Sequence, residues 1–152
     1  MKVRKGFVSN SSSSSFIVIE DSSQILDYVV PDELIVDTSL GQSEFGWEPE
    51  TFYGVGSKII FSYLQTIYSN NNDWLQMLTK VIKDHTGTSE IIWNITTEYI
   101  SGGIGWSYID QQSTAPHNTE MFENEEILKA FLFGRDSYIQ TDNDNREDFG
   151  DY

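Results

Sequence analysis

A chain of 152 residues is long enough for one domain with its own core and short for two. Its 24 acidic residues against nine basic ones give a formal net charge of −15. That field opposes nonspecific binding to nucleic acid or to an anionic membrane surface, and the lack of cysteine excludes disulfides, thiolate catalysis and cysteine-held metal sites. Aromatic residues make up 14% of the chain and bury a large area each, so an apolar share of only 38% still supports a folded core. The acidic surface either keeps the protein soluble or presents a polyanion-like field to a basic protein partner.

In chain order, residues 1–15 read as a basic arm (Lys2, Arg4, Lys5) and a serine-rich hinge. Residues 16–141 read as a single globular domain, and 142–152 as an acidic tail. The polar serines after the basic start are not the apolar stretch of a secretory leader, and no run of about 18 apolar residues exists to span a membrane. A cytoplasmic protein is therefore expected. Serine hydroxyls compete for backbone hydrogen bonds and favour turns, which makes the tract a flexible link. Its hydroxyls and amides could instead line an anion-binding concavity, but the glycines that let a backbone wrap a phosphate are missing.

The words Gly6-Phe7-Val8-Ser9-Asn10, the serine run and Phe16-Ile17-Val18 closely resemble an N-terminal signature found at the start of many small, uncharacterised bacteriophage and bacterial proteins. The resemblance covers residues 4–18. It implies an origin in a phage or accessory genome, with the host cytoplasm or the virion as location, and it implies no activity.

Phe16 to Ile19 is a β-branched and aromatic run suited to a buried strand. Ser22 or Ser23 is expected to cap a short helix through Val29 that Pro31 ends, and Leu34-Ile35-Val36 forms a second strand. Residues 38–56 are rich in turns, with five Gly and Pro residues separating Phe45, Trp47, Phe52 and Tyr53. The stretch reads as an aromatic-anchored loop closing one end of the core, or as a functional loop. Ser57 is expected to cap a helix carrying Ile60, Tyr63, Leu64, Ile67 and Tyr68. A turn at 69–72 leads to a second helix from Asp73, with Trp74, Leu78, Val81, Ile82 and His85 at helical spacing and Gly87 as its stop. The two make an antiparallel αα-hairpin. Alternation from Ile91 to Tyr99, a turn at Ser101-Gly102-Gly103, and alternation again through Ile104, Trp106 and Tyr108 predict a β-hairpin over 90–110. Asn124 is expected to cap a third helix ending at Gly134, and residues 137–141 supply a last strand. The fold class is α+β, a single domain. Its antiparallel sheet is expected around the 90–110 hairpin, joined by the Phe16 strand and the last strand, with three or four helices packed on one face.

No motif carries a catalytic assignment. His85 suits a structural role at a helix end, and His117 lies in a polar loop without a nucleophile elbow nearby. Asp142-Asn143-Asp144 begins like a calcium loop, but Arg146 occupies a ligand position and the required glycine is absent. Gly102-Gly103-Ile104-Gly105 is neither a P-loop nor a dinucleotide fingerprint. Neither a metal nor a cofactor is expected. A possible loop site is Trp47, Glu48, Glu50 and Tyr53, where acids beside aromatics (with Glu44) could serve a small hydrolase together with His117. The expected contact surface is the acidic set Asp142, Asp144, Glu147, Asp148 and Asp151 with Glu123, Glu125 and Glu126. The sequence thus points to a small acidic, non-catalytic, phage-type binding protein that occupies a basic surface on a macromolecule, as an inhibitor or polyanion mimic. A virion-associated or other structural assembly protein is the alternative of a second class, and the hydrolase of a third.

Overall fold

The computed structural model describes residues 2–5, 14–45, 49–97, 107–109 and 119–142. The β-branched run becomes β2 (Ser14–Glu20), in which Ile17, Val18 and Ile19 are all buried, as an unbroken apolar strand requires. It lies between β1 (Lys2–Lys5) and β8 (Tyr138–Asp142) in a four-stranded antiparallel sheet ordered β1-β2-β8-β5, where β5 is Glu50–Phe52. Ile17 pairs with Ile139, which places two fully buried side chains at the centre of the sheet. The basic segment pairs along β2, Lys2 with Glu20 and Lys5 with Ile17. Lys2–Lys5 is therefore an edge strand, which a free arm would not be. The divisions drawn after residues 15 and 141 fall inside β2 and β8, and residues 6–13, most of the expected hinge, lie outside the described residues.

The α+β class holds, but the antiparallel sheet is centred on β2 and β8 and not on a 90–110 hairpin. β6 (Glu90–Trp93) instead pairs in parallel with β3 (Glu33–Val36), Leu34 beside Ile91 and Val36 beside Trp93. The helical hairpin between them carries the chain back to the end from which β3 started, which makes parallel pairing the accessible one. β4 (Glu44–Phe45) and β7 (Tyr108–Ile109) form a further short parallel pair. Of the expected hairpin, Ser107 N–H donates to Thr96 O at 2.9 Å, and its turn falls outside the described residues.

The helix expected after Ser22 does not form. Residues 21–23 turn, and the chain then runs extended beside the end of the last helix: Leu26 N–H donates to Phe133 O at 2.7 Å and Arg135 N–H to Gln24 O at 2.8 Å. Ile25 and Val29, the pair that would have made its apolar stripe, are exposed, so packing offered that helix nothing.

The other helical expectations are met, α1 and α2 with shifted starts and α3 with the cap and stop expected. α1 (Val55–Tyr68) begins after Gly54 without a side-chain cap, and Ser57 Oγ instead accepts from Gln42 N–H at 2.8 Å. α2 (Asn72–Thr86) is capped by Asn71, whose Oδ1 accepts from Trp74 N–H at 3.1 Å; it stops at Gly87, which adopts a left-handed φ of 80°. α3 (Glu125–Phe133) is capped by Asn124, whose Oδ1 accepts from Ile127 N–H at 2.8 Å. The three helices pack on one another and α3 packs on β2, closing a core around Ile19, Ile59, Phe61, Leu78, Phe131 and Phe133. Phe45 is fully buried and meets Phe52 and Phe61 edge-on at 5.4 and 5.2 Å, so the turn-rich stretch is anchored to the core by its aromatics. Replacing Asn124 with alanine is expected to cost about 1 kcal/mol, read as a lower urea midpoint at unchanged m-value.

Candidate functional site

α3 is amphipathic. Leu128, Phe131 and Leu132 point into the core, which leaves Glu125, Glu126 and Lys129 on the outside with Glu123 just before the helix. Negative charge in the first turn also suits the exposed amides there. On one side of this ridge lies a shallow cleft of about 260 Å³ lined by Val81, Asp84, His85, Glu125, Glu126 and Lys129. On the other lies one of about 440 Å³ lined by Asp21, Ile25, Asn124, Glu126, Ile127 and Lys129. Glu126 and Lys129 border both. The surface combines apolar patches, from Val81, Ile25 and Ile127, with four carboxylates and one ammonium.

Part of this charge is satisfied internally. Lys80 Nζ donates to Asp84 Oδ2 at 2.9 Å and to Glu125 Oε1 at 2.8 Å, and these bonds hold its ammonium well above the ordinary lysine range. All three side chains are at least half exposed, so the pairs contribute little to stability. Glu123 and Glu126 make no ion pair among the described residues. His85 closes the first cleft at the last turn of α2, with Nε2 2.8 Å from Leu26 O and its ring 4.1 Å from that of Phe133. The role is structural, but its partner is a carbonyl of the extended segment at Leu26 and not one of those that end α2.

The structure thus brings Glu123, Glu125 and Glu126 together and adds Asp84 and Asp21, which the sequence reading left out. Asp84 follows Val81 by three positions on the rim of α2, a weak signal; nothing local connects Asp21 to α3. Of the acidic tail, Asp142 ends β8 opposite Ser14, and Asp144, Glu147, Asp148 and Asp151 lie outside the described residues. Trp47, Glu48 and His117 lie outside them too. Glu50 is exposed on β5, and Tyr53 is half exposed with its ring 4.9 Å from that of Tyr138, so the described half of the loop site belongs to the far edge of the sheet and borders neither cleft.

One buried group was also missed. Lys58 is fully buried on α1, its Nζ donating to Gly134 O at 3.0 Å and Ser137 O at 2.9 Å, and burial pushes its pKa down to about 8. Among the described residues no three or more His, Asp or Glu side chains are arranged to hold a metal ion, and no helix is long and apolar enough to cross a membrane. Compared with family models, with curated protein sequences and with solved structures, the chain matches none.

Proposed function

We propose that this chain is a small acidic binding protein, without catalysis of its own, that occupies a basic surface on another protein through the outer face of α3. The observation that supports this reading most is the arrangement about that helix. Glu123 and Glu126 carry charge that no cation among the described residues neutralises, and Glu126 borders two shallow clefts whose walls mix apolar and charged side chains. A contact of this kind draws its on-rate and partner choice from the one-signed field, and its residence time from the apolar patches. Inhibition of a polyanion-binding protein follows wherever that basic surface is the one its own ligand uses.

The reading is tested with a fluorescent peptide in which lysines alternate with leucines, titrated against the full chain at rising salt. Binding is expected to weaken as salt rises, and Glu123→Lys with Glu126→Lys is expected to weaken it roughly tenfold at low salt. Both positions are exposed, so the double variant should stay folded, with a loss of about 1 kcal/mol from charge reversal at the start of α3. Equal binding by native and charge-reversed chains would remove α3 as the contact.

A further inference from the structure

The two-stranded parallel sheet of β3 and β6 presents an uncovered face. Side chains alternate along both strands, so Leu34 and Val36 are buried while Glu33, Ile35, Glu90 and Ile92 are exposed. Ile35 and Ile92 are direct neighbours across the pair, 46% and 39% exposed, and Glu33 and Glu90 are likewise neighbours. Two carboxylates side by side on a strand pair repel, and no cation among the described residues pairs with either. A two-stranded sheet of this size is also weak by itself.

The backbone is open as well. Asp32 O accepts from Ser89 N–H and Glu90 N–H, at 2.9 and 3.2 Å, and Val36 O accepts from Asn94 N–H at 2.8 Å. Even-numbered residues of β3 therefore turn their polar groups toward β6. By the alternation of a strand, Glu33 and Ile35 turn theirs to the opposite edge, along which no described strand runs.

We propose that this free edge of β3 takes up a strand from the basic partner, whose apolar residues cover Ile35 and Ile92 and whose lysines or arginines meet Asp32, Glu33, Glu90 and Asp37. Charge selects the occupant. With its flanking residues the strand reads Asp32-Glu33-Leu34-Ile35-Val36-Asp37, acidic at both ends. Two hydrogen bonds from Ser39 hold the Asp37 carboxyl below the usual carboxylate range, so that end stays charged. A second copy pairing antiparallel about Ile35 would set Glu33 against Asp37 of its mate, between chains of net charge −15 each. An apolar strand bracketed by cations has no such conflict. Main-chain bonds along the edge would give affinity and the flanking charges register. The proposal rests on the basic partner inferred above but makes no use of α3.

The probe is a capped peptide of alternating valine and threonine with lysines at both ends, and its counterpart carries glutamates there. With the lysine peptide, exchange of the Glu33 and Ile35 amides is expected to slow roughly tenfold, and with the glutamate peptide not at all. Ile35→Pro should abolish this protection while preserving the fold, because the lost N–H faces the free edge and makes no ladder bond. If that variant unfolds, Glu33→Lys with Glu90→Lys decides the matter: it should reject the lysine peptide and accept the glutamate one. Equal protection by the two peptides, protection at other amides only, or a dimer in sedimentation that Glu33→Lys with Glu90→Lys changes would overturn the proposal. Glu126→Lys should leave the protection unchanged. If it alone removes the protection, the α3 reading survives and the β3 one does not.

Discussion

Replacing Lys58 with methionine is expected to abolish a rise in stability that the native protein shows between pH 8 and 10.5. The ammonium is fully buried, with two carbonyl acceptors and the Phe131 ring centre 6.0 Å away. Burial is the main cause that lowers its pKa from 10.5 to about 8, and the charge of Asp136 offsets a part. Because the folded pKa lies below the unfolded one, the unfolded chain holds more protons between those two values, and stability must climb with pH across that window. The climb amounts to about 3 kcal/mol, and the whole penalty is present below pH 8. Tyr28 and Tyr63 act in the opposite sense. Burial raises both phenols, so their contribution falls as pH passes 10 in either variant. The difference in urea-derived stability between native and Lys58→Met therefore isolates the lysine. It should grow in favour of the native chain from pH 8 upward, and a difference that stays flat would mean that the ammonium is solvated in the folded protein. Lys58→Ala should cost more than Lys58→Met at every pH, since it leaves a cavity as well as two carbonyls without a donor, and its cost should grow by the same about 3 kcal/mol across that window.

The lysine matters because of what it ties together. Gly134 and Ser137 begin and end the turn from α3 to β8. In the same turn Ser137 Oγ donates to Ala130 O at 2.8 Å and accepts from Glu20 N–H at 2.9 Å, and Arg135 N–H reaches Gln24 O. One polar knot thus joins α1, α3, β2 and the segment that carries Ile25. That segment and α3 are the two walls of the larger cleft, so the acidic surface is held in place by a buried cation beneath it.

The parts of this fold that could be read from sequence are those whose signals are local. Asn71 and Asn124 cap helices by bonding amides three residues on, and Gly87 ends one by adopting a left-handed φ; each acts within a few residues. Strand partners are another matter. A period of two in 91–99 says which side chains share a face, and it is silent on which strand lies alongside. The turn at Ser101-Gly102-Gly103 suggested the neighbour in sequence, while Glu90–Trp93 took the neighbour in space, Glu33–Val36. The acids of α3 were legible because charge on an amphipathic helix faces outward. Lys58 was not, because α1 is buried nearly all round: Lys58, Ser62 and Gln65 lie inside along with Ile59, Ile60 and Leu64, and a lysine in a helix reads as surface. Asp21 reaches the cleft only through the extended path of residues 24–26 beside α3, a consequence of tertiary packing that no residue near it announces.

Gly56→Ala should destabilise the protein by about 3 kcal/mol or more, although a propensity argument gives the opposite sign. Gly56 is the second residue of α1 and has no left-handed φ, so alanine at a helical position of this kind ought to gain about 0.5–1 kcal/mol. What forbids it is space. A Cβ there would run into the carbonyl oxygen of Leu40, with the carbonyl carbon at 2.8 Å, and backbone cannot swing aside as a side-chain end can. The crowding is mutual, since a Cβ on Gly41 would stand 2.5 Å from Ser57 N and 2.8 Å from Gly56 C. The turn leaving β3 therefore lies directly on the first turn of α1, fixed by the bond from Gln42 N–H to Ser57 Oγ. Gly54, one residue before the helix, supplies the comparison: a Cβ there meets nothing within 4 Å, so Gly54→Ala should cost about 1 kcal/mol or less. Urea unfolding of both variants beside the native chain measures the contrast. Equal stability of Gly56→Ala and Gly54→Ala would show that the 40–41 turn is not seated on the helix, and the large loss at Gly56 alone is the result that close packing of two backbones demands.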